Sequence, residues 1–570
     1  MKIEIAIAER TAYDLCIIGT GPAGIILALE YQKLRPRQRV LLIEYGDGKA
    51  ASRNPLDDSI KIADPLNHHE PYECTNKGLG GSSATWGGRC VMYDAVDFLP
   101  RKILAGQCTW DLALFDESRQ YAPQAAEYFE CGEARFDLNE IPAFAGTRIA
   151  EGFQSGDVMD SVIERWSMPT RFGERYGPQI LSSASLHLLT GWEACSFEVS
   201  SLAGNVSTVG LRDLGRKRRV TVTARMVVIA AGAQETTRLL LKNSQVFQNR
   251  GGPPAALGKY YQGHVSGKIA SVRFHGHPKK TEYGFLRTPD GVYVRRRLQL
   301  STEAILEQNL LNTALWLDNP LYVDPDHRNG ALSFMYLAMI TPILGRRLAP
   351  PAVARSITKG KVSNVPKHLR NVIKDLPASL TIPASIFYSR YCVGRKLPGV
   401  FLYSPKNTYA LHFHAEQVPV PENRMELAKD GETLTIYYQY TDQDADSIIR
   451  THEYLDQWLR KCRCGELIYW HPKSELPMAI RAMSIDGIHQ VGTTRIAAEA
   501  DDGVVDKNLR VWGSPNLFVC SSSVFPTSGQ ANPTFLLGVF SVRLAHHLAS
   551  LPGVLPAQAA NYEYMCHSRR

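Results

Sequence analysis

The 570-residue sequence lacks any apolar run long enough to cross a bilayer. A spanning helix needs roughly 18–20 such residues. The longest candidate, LSFMYLAMITPIL at 332–344, reads as core or, at most, an interfacial segment. The sequence also lacks a paired cysteine framework. Its 11 cysteines are scattered and odd in number, which argues against a disulfide scaffold and for a reducing, cytoplasmic setting. Cys462-Arg-Cys464 is too tight and too isolated for zinc, and His412 and His414 on one strand face have no third ligand nearby in sequence, so no metal site is expected. MKIEIAIAERTAYDL has charges inside its short apolar stretch, so no cleavable leader is expected there. Repeats and low-complexity tracts are missing, as is any reader motif for nucleic acid.

Charge is present but unevenly placed. The net charge is +8. Residues 346–396 alone carry eleven Lys/Arg against one acid, Asp375, so the rest of the chain sums to −2. Apolar and basic residues interleave there at roughly helical spacing. Three readings stay open: a solvated basic face, docking on an anionic membrane surface from the cytoplasmic side, or a lid over an anionic substrate.

The front of the chain carries the most specific signal. YDLCII (13–18) reads as a buried strand, followed by Gly19-Thr-Gly21-Pro-Ala-Gly24, an apolar helix, and a second strand ending at Glu44. This is the strand, GxGxxG, helix, strand, acid order of a dinucleotide site. Its glycines permit a tight turn and close approach of a pyrophosphate to a helix N-terminus. Glu44 stands where a ribose acceptor is expected. A second glycine-dense loop, NKGLGGSSATWGGRC (76–90), offers Gly80, Gly81, Ser82, Ser83, Thr85 and Trp86 as further cofactor contacts. RMVVIAAGAQETTRLLL (225–241) adds Ala231 and Gly232 at a strand-to-helix turn. So many lining segments suit a long cofactor.

These motifs, with LGKYYQGH (257–264) and the tail from HQVGTTRI (489–496) to SGQANPTFLLG (528–538), resemble the glucose–methanol–choline (GMC) oxidoreductases, in style nearest the pyranose 2-oxidase branch. The resemblance implies FAD and oxidation of an alcohol, preferably a sugar or glycoside hydroxyl. It implies His489 as the base, Asn532 as its partner, and Ser522, Pro533 and Thr534 as further cofactor contacts. Thr85 stands where that branch links a histidine to the flavin, so FAD is expected to be non-covalent. Electrons would leave to oxygen, a quinone or a protein carrier. A lyase with structural FAD, or a non-catalytic flavin-bound partner protein, are the rival classes.

The fold class expected is α/β. A doubly wound, Rossmann-like FAD domain is built from residues 1–110, 190–265 and 485–550. An α+β substrate domain with a mixed or antiparallel sheet takes 111–189 and 266–484, with the basic insert at 346–396 and a tail at 551–570. GVYVRRRLQLS (291–301) and TLTIYYQYT (433–441) read as strands with one wet face.

Overall fold

A computed structural model describes residues 1–47, 59–200, 204–215, 218–320, 322–341 and 364–552. The apolar run after Tyr13 becomes the strand Ala12–Ile18, whose last four residues are buried, as in a parallel strand covered on both faces. It pairs in parallel with Val40–Glu44 and with Arg219–Ile229. The sheet runs in the order Leu186–Thr190, Val40–Glu44, Ala12–Ile18, Arg219–Ile229, Val206–Asp213, Trp192–Val199, and Leu517–Val519 adds in parallel to Arg219–Ile229. Arg219–Ile229 changes partner along its length. Its alternating first half is a hairpin arm antiparallel to Val206–Asp213, and its continuously buried second half is a core strand. Helices Pro22–Leu34 and Thr534–Ser550 pack on each other beside this sheet.

The dividing line expected at 190 falls at the far end of a strand that this sheet includes. The preceding stretch also contributes Leu114, Ala125, Phe129, Phe172 and Tyr176 to the same core. An amphipathic helix shows which of its faces is buried, not which sheet buries it.

A second, antiparallel sheet runs in the order Gly465–Tyr469, Val265–Phe274, Thr408–Ala415, Thr313–Asp318, Leu298–Leu300, Val158–Met159. Helix Asp442–Lys461 closes its core with Ile448, Leu455 and Leu459, and begins at a capping box of Thr441 and Asp444. A four-stranded sheet, Phe285–Arg287, Tyr293–Arg296, Ile163–Trp166, Arg89–Cys90, connects the glycine-rich loop to this half of the molecule.

The wet face expected at 291–301 is absent: Arg295, Arg296 and Arg297 are all buried. Each has a specific partner, Glu164, Glu282 and Gln530 respectively, and such pairing is what lets arginine be buried. Of the basic segment, 346–363 lie outside the described residues. Helices Val365–Lys374 and Leu376–Tyr391 turn His368 and Ser379 inward, and expose Leu369, Ile373, Leu376 and Leu380 beside Lys367, Arg370 and Lys374. That surface is apolar as well as basic. Among the described residues no helix is long and apolar enough to cross a membrane.

His452, inside helix Asp442–Lys461, is fully buried, and its Nδ1 bonds only to the Ile448 carbonyl, 2.8 Å away. Burial pushes its pKa down to about 4. The unfolded chain takes up a proton near pH 6.5 that the folded chain refuses until about pH 4. The stability is therefore complete above pH 6.5 and is lost as pH falls from there towards 4. Asp444, pushed up to about 6 by burial, acts in the opposite sense, losing stability as pH rises from about 4 to 6. Comparison with a variant isolates the histidine. Between pH 7 and 5, His452→Leu should lose about 2 kcal/mol less stability than the parent chain, read by denaturation at the two pH values. Equal losses would overturn this account.

Candidate active site

A cavity of about 470 Å³ opens at the carboxyl ends of the first sheet's strands, touching Gly19, Glu44, Ala231 and Cys520. That is where open α/β sheets bind ligands. Gly19 has φ +107°, and a Cβ there would overlap the Ala230 carbonyl. A Cβ on Gly24 would overlap the Gly19 carbonyl, so this glycine serves the packing of helix Pro22–Leu34 and does not line the cavity. Gly21 has no atom within 4 Å of where its Cβ would stand, and it lines the cavity. This open cradle at a helix N-terminus fits a pyrophosphate.

Glu44 lines the cavity, but both its oxygens also hold the protein together. Oε2 accepts from the Thr20 N–H at 3.2 Å and the Thr20 hydroxyl at 2.5 Å. Oε1 accepts from the Gly46 and Gly78 N–H groups at 2.9 and 2.8 Å. The glycine-rich loop wraps through a 3-10 turn, Gly81–Ala84. Gly81, Ser82, Ser83, Thr85 and Trp86 line the cavity. Gly80, at φ +94°, does not; it lets the loop pass tightly against Gly173. Ser83 donates to the Gly80 carbonyl at 2.6 Å, and the Trp86 indole donates to the Thr170 carbonyl at 2.9 Å. Asn76 donates to Thr85 Oγ1 at 2.8 Å, while its own Oδ1, at the cavity wall, has no protein partner. Such an orphaned acceptor fits a bound polar group. Gly232, Ser522 and Thr534 also line the cavity; Pro533, the residue before helix Thr534–Ser550, does not.

His489 and Asn532 meet at the opposite wall. The Asn532 amide donates to His489 Nε2 at 2.6 Å. On the other side of the ring, Nδ1 lies 3.4 Å from Asp486 Oδ2. This network assigns the ring proton to Nδ1 and leaves Nε2 as the acceptor. Asp486 is the organising group. Its Oδ1 accepts from the backbone N–H groups of Gly487, Ile488 and His489. Its Oδ2 accepts from the His264 N–H at 2.6 Å. Burial alone would raise its pKa, but His489 and His264 hold it well below the ordinary carboxylate range.

Sequence spacing did not reveal Asp486, His264 or His414 as neighbours of His489. The ring centroid of His264 lies 4.1 Å from that of His414 and 4.8 Å from that of His489. His414 bonds through Nδ1 to the Gln530 carbonyl at 2.8 Å. His414, without His412, belongs to a group of three: His264, His414 and His489 offer nitrogens within 4.8 Å of one another. Burial lowers the pKa of both His264 and His414, so a cluster of neutral rings surrounds the candidate base. The only sequence signal for His264 was its place at the end of LGKYYQGH, just before strand Val265–Phe274.

The GMC oxidoreductase family matches residues 419–539, the stretch that holds Asp486, His489 and Asn532. Curated relatives include the 2-methyl-1,2-propanediol dehydrogenase of Mycolicibacterium austroafricanum, 36% identical over 63 residues. The C-glycoside 3-oxidase of Microbacterium trichothecenolyticum is 31% identical over 118 residues. These matches span 11% and 20% of this chain, and only 11% and 21% of the relatives' own lengths. Pyridoxine 4-oxidase from Mesorbium loti shares the fold, with a TM-score of 0.52 at 17% identity over 94% of this chain and 99% of that one. The family match covers the turn and the helix start that bring His489 and Asn532 together.

Proposed function

We propose that the protein oxidises an alcohol to the carbonyl with FAD as the electron acceptor. The observation that carries the proposal is the Asp486, His489, Asn532 arrangement on the wall of a cavity whose far end is a dinucleotide cradle. FAD, when bound, supplies the acceptor for the hydride that leaves the alcohol carbon. Gly19, Gly21 and the loop from Gly81 to Trp86 would hold it, with Glu44 beside the ribose. The first sheet would thus serve the cofactor, and the antiparallel sheet the substrate.

The protein's own residues handle the proton. His489 Nε2 accepts it from the hydroxyl as the carbon gives up its hydride. Asp486 faces Nδ1 and stabilises the imidazolium that forms. The Asn532 amide, already aimed at Nε2, donates to the developing alkoxide without competing for the proton. Thr534 opens a helix of 17 residues at the cavity wall, and its N-terminal dipole favours negative charge there. Thr85 has no ring nitrogen to bond to a flavin, so FAD is held non-covalently. A sugar or glycoside hydroxyl is the preferred substrate. The short match to a C-glycoside 3-oxidase and the motif style of the glycine-rich loop support this choice.

Anaerobic mixing of purified holoenzyme with a panel of alcohols, sugars and glycosides tests the reading. One class should bleach the visible flavin band. His489→Ala should slow that bleaching about 10²–10⁴-fold, and Asn532→Ala about 10²–10³-fold. No bleaching by any compound, with dithionite still effective, would sink the alcohol reading. Acid precipitation should release the flavin into the supernatant; flavin retained in the pellet would refute non-covalent binding.

A further inference from the structure

We propose that the alcohol taken by this cavity carries an oxyanion, a carboxylate or a phosphate monoester, and that Arg89 is the residue that pairs with it. The proposal rests on the alcohol oxidation set out above and narrows its substrate class.

The argument begins with strand register. Arg89 stands opposite Trp166, and Arg295 opposite Glu164, in the small four-stranded sheet. Side chains of directly opposed residues, and of residues two apart on a strand, share a face. Arg89, Trp166, Glu164 and Arg295 are therefore on one face, and Arg297 follows just beyond. Three guanidiniums are gathered around one carboxylate. Glu164 is fully buried and forms ion pairs with both Arg89 and Arg295. Burial alone would raise its pKa, but Arg295 and Arg89 hold it below the usual value. Arg297 bonds to Gln530 and Gln299 rather than to an acid. The next acid, Asp94, spends Oδ2 on the amides of Gln299, Asn312 and Gln530. Burial holds the adjacent Asp97 towards its protonated form.

Two of the three cations are closed off. The Arg295 guanidinium is boxed by Trp316, Trp166, Phe401 and Phe285, at 4.4, 5.3, 5.3 and 5.9 Å from the ring centroids. Arg297 is 1% exposed. Arg89 alone of the three lines the cavity, on the same wall system as His489 and Asn532. Its side chain is 16% exposed. Its guanidinium lies 4.5 Å over the Trp316 ring, and its buried Nη2 has no hydrogen-bond partner in the protein. A desolvated guanidinium that shares its only carboxylate with a second arginine is poorly compensated. An oxyanion presented to the exposed part of this guanidinium supplies compensating charge and a hydrogen bond together.

The test compares matched pairs on the holoenzyme: glycerate with glycerol, glucuronate with glucose, and glucose 6-phosphate with glucose. The anionic member should bleach the flavin with at least tenfold higher kcat/KM. Preference for carboxylate or for phosphate identifies the group, and preference for the neutral member overturns the proposal. Arg89→Gln should lower the anion-to-neutral ratio tenfold or more, mainly through KM, and Arg89→Lys should restore part of it. A ratio unchanged in Arg89→Gln, or a loss of bound flavin as its main effect, assigns the arginine to the cofactor and overturns the proposal. Should no alcohol bleach the flavin, titration with acetate, inorganic phosphate and neutral acetamide separates the two ideas. Perturbation of the flavin spectrum by an anion, lost in Arg89→Gln, sustains the oxyanion site. No difference between the anions and acetamide removes it.

Discussion

One buried carboxylate sets the geometry on which the candidate site depends. Asp486 takes three consecutive backbone N–H groups on Oδ1, which folds the 486–489 turn, and the His264 N–H on Oδ2, which fixes the start of strand Val265–Phe274. The same Oδ2 faces His489 Nδ1. A single group thus ties the tail that supplies the candidate base to the antiparallel sheet. The glycines around it are there for space. A Cβ on Gly263 would stand 2.8 Å from Asp486 Oδ2, and one on Gly487, at φ +123°, would stand 2.8 Å from His68 Nδ1. Side chains are excluded from the positions where the carboxylate and its neighbours approach most closely. A charge so placed is tolerable only because every lone-pair direction is used.

Much of the fold was legible because local and global signals agree in it. The strand Ala12–Ile18, the turn through Gly24 and the strand Val40–Glu44 follow directly from an apolar run, three glycines and a second apolar run. Regularities of period two and 3.6 report burial, and there they reported it correctly. They cannot report partners. RRR at 295–297 looks like a solvated run, yet each guanidinium lies inside and meets Glu164, Glu282 or Gln530 from another segment. Leu114, Phe129 and Tyr176 carry no mark of which sheet they cover. The sequence places His489 and Asn532 in motifs 43 residues apart, and the fold brings their side chains to 2.6 Å. Asp486 lies three residues before His489, just ahead of HQVGTTRI, and an aspartate before a glycine is an ordinary turn signal. His264 stands just before one strand and His414 lies in its neighbour, and only the antiparallel sheet sets them side by side.

The two ends of the cavity differ in kind. Towards the first sheet it offers backbone N–H groups and helix starts, with Glu44, Lys77, Glu235 and Arg238 also on its wall. Towards the antiparallel sheet it offers ionisable groups in a low-dielectric setting: neutral histidines around His489, and a cationic cluster around Glu164. Trp316 separates them. His412 stacks on it at 4.3 Å, and the Arg89 and Arg295 guanidiniums lie over it at 4.5 and 4.4 Å. After burial, the Arg89 charge also helps to lower the pKa of His264 and His414.

That arrangement also explains why the site draws on so many parts of the chain. A base that must stay neutral, an amide that must point at it and a carboxylate that must orient it cannot all come from one loop, because a loop moves as a unit with its own side chains. Here the Asp486 turn is held by its own backbone bonds, Asn532 by the start of helix Thr534–Ser550, His414 by a central strand and Arg89 by a short strand of another sheet. The strand of Arg89 and the helix after Asn532 share the first sheet's core, while the strand of His414 belongs to the second, so one local fluctuation does not shift all of them together. Restraint from independent directions is what holds a donor and an acceptor in one fixed geometry.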